Sequence, residues 1–197
     1  MKYINQLKYP HIPYRTHTAD TTKTEEEKMK SIRKAGCGLC CACMMVDQLT
    51  DKELTLEAAV KMSEESGANY KRGTTMRLLG PALSEKFGIE YYPANELSDV
   101  IAALKDGAHV IALVEIDPET KLGLFTNGAH YISLISTDGK EFCILDPSYK
   151  PEKFEREDRK GKVDTSHAPY LYCDVNTVHA ETSIKSSSKY YVFKRKR

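Results

Sequence analysis

In the stretch Ala35-Gly36-Cys37-Gly38-Leu39-Cys40-Cys41-Ala42-Cys43-Met44-Met45, Cys37 sits between two glycines at the head of an apolar run of helical length. At the start of a helix, unpaired N–H groups and the positive end of the dipole stabilise a thiolate. Gly38 is expected to leave open backbone in front of the sulfur, where a substrate carbonyl could approach. That combination is the usual setting of a cysteine nucleophile. The competing reading is a buried, inert thiol, because free cysteine packs as a small hydrophobe.

A thiol nucleophile needs a base, and the base needs an orienting partner. Among six histidines, His130 is the candidate base: it begins an apolar strand directly after Asn127-Gly128-Ala129. Thr137-Asp138-Gly139 lies between His130–Ile135 and Glu141–Leu145, and an Asp-Gly pair in that place signals a hairpin. With a three-residue loop and Gly139 left-handed, Ser136 pairs with Lys140 and His130 falls directly opposite Asp146. Opposed residues share a face with Cβ atoms within about 5.5 Å. A two-residue turn would slip the register and separate them. Pro147 ends the strand and frees the Asp146 carboxylate from a regular ladder position. For the oxyanion, the Cys37 N–H at the helix start is one expected donor. A side-chain amide upstream is the second, and Gln6 is the candidate.

The rival chemistry is metal binding. Cys37-x-x-Cys40 with Cys41 and Cys43 could hold zinc or copper, but Cys143 and Cys173 stand alone and supply no second ligand pair. No metal site and no cofactor is therefore expected, and Cys40, Cys41 and Cys43 read as small buried helix residues. Four cysteines lie within seven residues, and neighbours on one helix rarely have disulfide geometry, so a reducing compartment is expected rather than a secreted disulfide framework.

Around these residues the chain reads as helices first and an antiparallel sheet later, an α+β pattern. Residues 1–22 form an extended arm, since Pro10 and Pro13 exclude a helix. Thr22 and Glu25 have capping-box spacing ahead of a charged helix Glu25–Lys34 anchored by Met29 and Ile32. Cys37 opens a helix to Leu49 that is apolar all round, hence central and buried. Helices are expected over Leu54–Glu65, Met76–Lys86 (with Pro81 marking a kink or late start) and Glu96–Lys105. Val110–Val114 is a strand buried on both faces, 116–128 a long loop, 150–167 a charged surface loop, and Tyr190–Phe193 a last strand. The length of 197 residues fits a single domain, 1–197. A net charge of +1 excludes a strong field toward nucleic acid or an anionic membrane, and no apolar run reaches the ~18 residues a membrane span needs. Met1-Lys2-Tyr3-Ile4-Asn5-Gln6 is too polar for a secretion signal, so a cytoplasmic protein is expected, with a leader removed beforehand as the alternative.

The order Gln6 … Gly36-Cys37-Gly38 … Ala42-x-Met44 … Gly128-Ala129-His130-Tyr131 … Asp146-Pro147 resembles the papain-like cysteine peptidases of the bacteriocin-leader-processing type, specifically their stand-alone relatives (peptidase family C thirty-nine-like). Asn5-Gln6-x-x-Tyr9 and Tyr190-Tyr191-x-Phe193 are similar to those relatives as well. The resemblance implies a papain-like fold with Cys37 as nucleophile, His130 as base, Asp146 as orienter and Gln6 as oxyanion donor. The chain departs from the family where Leu39, Cys40 and Cys41 replace a proline and a small hydroxyl residue, and where Ala129 replaces a second glycine. These 197 residues carry no transporter membrane domain, so the resemblance is not expected to extend to processing of double-glycine leaders. The expected function is a cysteine peptidase or amidase acting through a thioester on a peptide or amide substrate. The alternatives are a non-catalytic papain-like module that binds a peptide or protein, and a thiol metal-binding protein.

Overall fold

A computed structural model of the chain describes residues 1–120, 123–182 and 189–196. The N-terminal arm carries one 3-10 turn, Gln6–Lys8, capped by the Asn5 side chain, and then β1 (Pro13–Arg15). The helix expected over Glu25–Lys34 is instead two short helices, α1 (Glu25–Lys28) and α2 (Ile32–Ala35), separated by β2 (Met29–Ser31). Thr24 and Glu27, rather than Thr22 and Glu25, make the capping box. The helix breaks because β2 pairs antiparallel with β1, so the backbone groups of Met29–Ser31 serve the arm. Met29 is correspondingly exposed, while Ile32 is fully buried.

Three longer helices follow: α3 (Cys37–Leu49), α4 (Leu56–Glu65) and α5 (Met76–Phe87). Thr55 caps α4 through its side chain, and Gly88 in the left-handed conformation closes α5, which runs through Pro81 with no late start. Next come β3 (Ile89–Ala94), α6 (Leu97–Lys105), β4 (His109–Glu115), β5 (Ala129–Thr137), β6 (Glu141–Leu145), β7 (Leu171–Asp174), α7 (Val175–Thr182) and β8 (Tyr190–Arg195). Strand β7 was not expected. Asp174 ends it and accepts the N–H groups of Asn176 and Thr177, which starts α7.

The six strands form one antiparallel sheet in the order β3-β8-β4-β5-β6-β7. The fold is α+β, but the helices do not all lie on one side. One core joins α3, α4 and α5 to the face carrying Ile111, Tyr131, Leu145, Tyr191 and Phe193. The other joins α6 and α7 to the face carrying Val110, Ala112, Ile132, Leu134, Ile144 and Val192. Helix α3 has only Asp47 exposed, because the sheet, the arm and two helices enclose it. Each fully buried Leu, Met or Val along it, such as Leu39, Met44, Met45 and Val46, contributes about 1.5–3 kcal/mol. His109 pins α3 to the sheet through Nδ1 to Gln48 Oε1 (2.7 Å) and Nε2 to Ser133 Oγ (2.9 Å).

The β5–β6 hairpin departs from the expected register. Its closing pairs are Thr137 with Phe142 and Ser136 with Cys143, so the turn is wider than three residues. Asp138 holds it open by accepting the N–H groups of Lys140 and Glu141, while Gly139 is left-handed as expected. A bulge at Ile135 then restores the phase, and Leu134 pairs with Ile144 and Ser133 with Leu145. Continued one step, that register puts Asp146 across from Ile132, diagonal to His130 and on its face. Without the bulge Asp146 would lie across from Ser133, on the other face.

Candidate active site

Cys37 is the first residue of α3, with Gly36 as the N-cap. A Cβ on Gly36 would meet Ile32 at 2.7 Å, and one on Gly38 would meet the Thr74 side chain at 2.9 Å and the Tyr131 ring at 3.0 Å. Gly38 is therefore not open backbone in front of the sulfur. It is buried, and it lets the helix start press against β5, which carries His130. Cys37 keeps partial access to solvent, whereas Cys40, Cys41, Cys43, Cys143 and Cys173 are buried. Burial pushes those five thiols up, Cys43 and Cys173 to about 12.

Cys37 goes the other way. Burial alone would raise it, but the hydrogen bond and charge of His130, with the N–H groups of Tyr131 and Gly38, hold it below the ordinary thiol value. Burial by itself would lower His130, yet Asp146 and Cys37 on either side push it up to about 9. The pair thus favours thiolate and imidazolium. Nothing packs against the backbone at Gly128, which leaves room beside the histidine.

His130 Nε2 meets Asp146 Oδ1 at 2.7 Å, which leaves Nδ1 for the sulfur. Asp146 is completely buried. Its oxygens also accept the Ser148 N–H (2.8 Å), the Ser148 hydroxyl (3.0 Å) and the Lys153 ammonium. Burial would raise this carboxyl, but the charges of His130 and Lys153 overcome that and hold it far below the usual carboxylate range. The carboxylate is therefore ionised at neutral pH.

The arm is stitched to the segment after β6. Tyr3 Oη donates to the Asp146 carbonyl (2.6 Å), Gln6 N–H to Pro147 O (2.7 Å) and Asn5 Nδ2 to Tyr149 O (2.8 Å). Gln6 is itself buried, and its Nε2 donates to the carbonyl of Arg33, four residues before Cys37 (3.0 Å). The amide retains a second N–H. Gln6 is thus tied to α2, the element that leads into Cys37.

The 116–128 loop is closed at its neck by Ile116 N–H to Gly128 O (2.7 Å) and anchored by the Glu181 carboxylate on the N–H groups of Leu124 and Phe125. The 150–167 segment, expected at the surface, buries Lys153, Phe154, Arg159 and Val163. Phe154 meets Phe125 edge to face at 5.7 Å, and Arg156 and Arg159 both donate to Asn127 Oδ1, three residues before His130. The two segments therefore join beside the site.

Ser148 and Lys153 were missed in the sequence. Asp146-Pro147-Ser148 carried a usable signal, since an aspartate commonly accepts the N–H two residues on. Lys153 carried a weaker one: Pro151 begins a 3-10 turn that sinks Phe154 and takes its neighbour inward. Among the described residues no group of three or more His, Cys, Asp and Glu is placed to hold a metal ion. None of their helices is long and apolar enough to cross a membrane.

No family model and no curated protein sequence matches the chain. Its fold matches solved structures. A chain from Bacillus anthracis described as a C39-like peptidase superposes with a TM-score of 0.52 at 11% identity, covering 82% of this chain and 89% of that one. The peptidase domain of Streptococcus ComA, a bi-functional ABC transporter involved in a quorum sensing pathway, gives 0.49 at 14% identity over 81% and 91%. The chain shares the papain-like fold of a C39-like peptidase.

Proposed function

We propose that the chain is a cysteine peptidase or amidase, one domain over its whole length, that cleaves a peptide or amide bond through a thioester. The observation that carries this reading is His130 between a half-buried Cys37 and a fully buried Asp146, with the thiol held down and the imidazole held up. The fold shared with a C39-like peptidase supports it.

The Cys37 thiolate attacks the carbonyl carbon, an S–C bond forms, and the π electrons move to the oxygen. The Cys37 N–H at the helix start and the second N–H of Gln6 stabilise that oxyanion. Collapse breaks the C–N bond, and the leaving amine takes its proton from His130. His130, now neutral, takes a proton from water; the hydroxide attacks the thioester, the S–C bond breaks, and the thiolate and imidazolium are restored. Asp146 keeps Nε2 protonated and the ring in plane throughout.

The test is iodoacetamide labelling at neutral pH followed by peptide mass spectrometry. Rapid, single-site labelling at Cys37 that slows at least tenfold in His130→Ala is the expected result. Slow labelling spread over several cysteines and indifferent to His130 would leave a papain-like shell that binds a peptide without cutting it.

A further inference from the structure

We propose that Lys153 is a positioning residue that sets the pH window of the Cys37–His130 pair by sharing the Asp146 carboxylate with the imidazolium. This rests on the triad reading above. Lys153 Nζ sits on Oδ2 of Asp146, while His130 occupies Oδ1 at 2.7 Å. The lysine is 8% exposed, and its ammonium lies 5.7 Å from the Phe154 ring centroid. One buried carboxylate therefore serves two cations.

Ser148 couples them. Its hydroxyl oxygen lies 2.9 Å from Lys153 Nζ, 3.1 Å from His130 Nε2 and 3.0 Å from Asp146 Oδ1. An ammonium can only donate, so Ser148 accepts from Lys153. The hydroxyl proton then goes to Asp146, and a lone pair is left facing Nε2. Nε2 must therefore donate, which keeps Nδ1 available to take the thiol proton. The other groups in the field are Tyr3, whose hydroxyl lies on the Asp146 carbonyl, and Arg159, whose guanidinium donates to the Lys153 carbonyl. Glu181 faces Arg159 and Lys153 from α7. Lys153 and the imidazolium thus meet the same carboxylate through its two oxygens.

A second cation on the carboxylate opposes protonation of the first. With Lys153 in place, His130 gives up its proton at a lower pH than Asp146 alone would allow, close enough to neutrality for deacylation to use it as a base.

The experiment is an NMR titration of 13C-labelled His130 in the full chain, comparing wild type with Lys153→Met, Lys153→Arg and Cys37→Ala. Lys153→Met is expected to raise the His130 midpoint by about one pH unit, and Lys153→Arg to return it toward wild type. Coincident midpoints in wild type and Lys153→Met would overturn the proposal. Should Lys153→Met fail to fold, the Lys153 ε-carbon signal of the wild type decides: it must shift at the His130 step, and a signal blind to that step overturns the coupling. A His130 midpoint unchanged in Cys37→Ala would sink the peptidase reading instead, with the Lys153 comparison intact.

Discussion

His130 and Asp146 meet at 2.7 Å, although Asp146 lies one residue beyond the last paired position of β6. The contact is diagonal, and the carboxylate is held by Ser148 and Lys153 as well as by the ring. Removing it strands a buried ammonium, which costs about 3–5 kcal/mol. Asp146→Ala should therefore lose that much stability in urea unfolding. The double variant with Lys153→Met should recover part of it, because no charge is then left unpaired. Strictly additive losses would show that the two side chains do not interact.

His109 is fully buried and neutral, and burial lowers it to about 3. Its folded value lies below the unfolded one of about 6.5, so its stabilisation is complete above that pH and is lost as pH falls toward 3. The share of one proton is about 1.4 kcal/mol per pH unit. Unfolding free energies between pH 4.5 and 6.5 should fall less steeply in His109→Gln by that amount.

The Cys37–His130 pair predicts a plateau on the other side. A raised His130 stabilises below its unfolded value and loses that contribution as pH rises through about 9. A lowered Cys37 stabilises above its unfolded value, near 8.5, and loses that as pH falls. Between about 6.5 and 8.5 the two contributions change with pH in opposite senses and offset each other. Wild-type stability should be flat there, and Cys37→Ala should decline with rising pH over the same interval.

Gly38→Ala places a methyl group 2.9 Å from the Thr74 Cβ and 3.0 Å from the Tyr131 ring. Relief requires α3 to back away from β5. A loss of about 1–3 kcal/mol is expected in thermal unfolding. Slower Cys37 alkylation should accompany it, since sulfur and imidazole separate.

Gln6→Ala should lower kcat by about 10²–10³ on a peptide ester that the wild type turns over, with KM little changed, as for the loss of one oxyanion donor. A variant with unchanged kcat would leave the Gln6 amide a purely structural link to Arg33.

Helix α3 was legible because Cys37–Leu49 is apolar on every side and Gly36 breaks the chain just before it. The hairpin was legible from Asp138-Gly139, but its register was not. Asp138 widens the turn, and the compensating bulge falls on Ile135, a residue that would fit a regular strand equally well. Strand β2 was hidden because its partner is the distant arm, so local pattern favoured one long helix. Lys153 was hidden for a related reason. A lysine among charged neighbours reads as solvated until Asp146, Ser148 and Phe154 close around it.

Tyr3 and Asp146 are bonded across 143 positions of the chain. A contact of that span is made only once the loop-closure entropy of the intervening segment has been overcome. A nascent or unfolded copy therefore carries only ordinary thiols, ionising near ~8.5. On the proposed reading Cys37 becomes reactive only once His130 of β5 has packed against the start of α3, and the share of protein that alkylates fast doubles as a count of finished molecules.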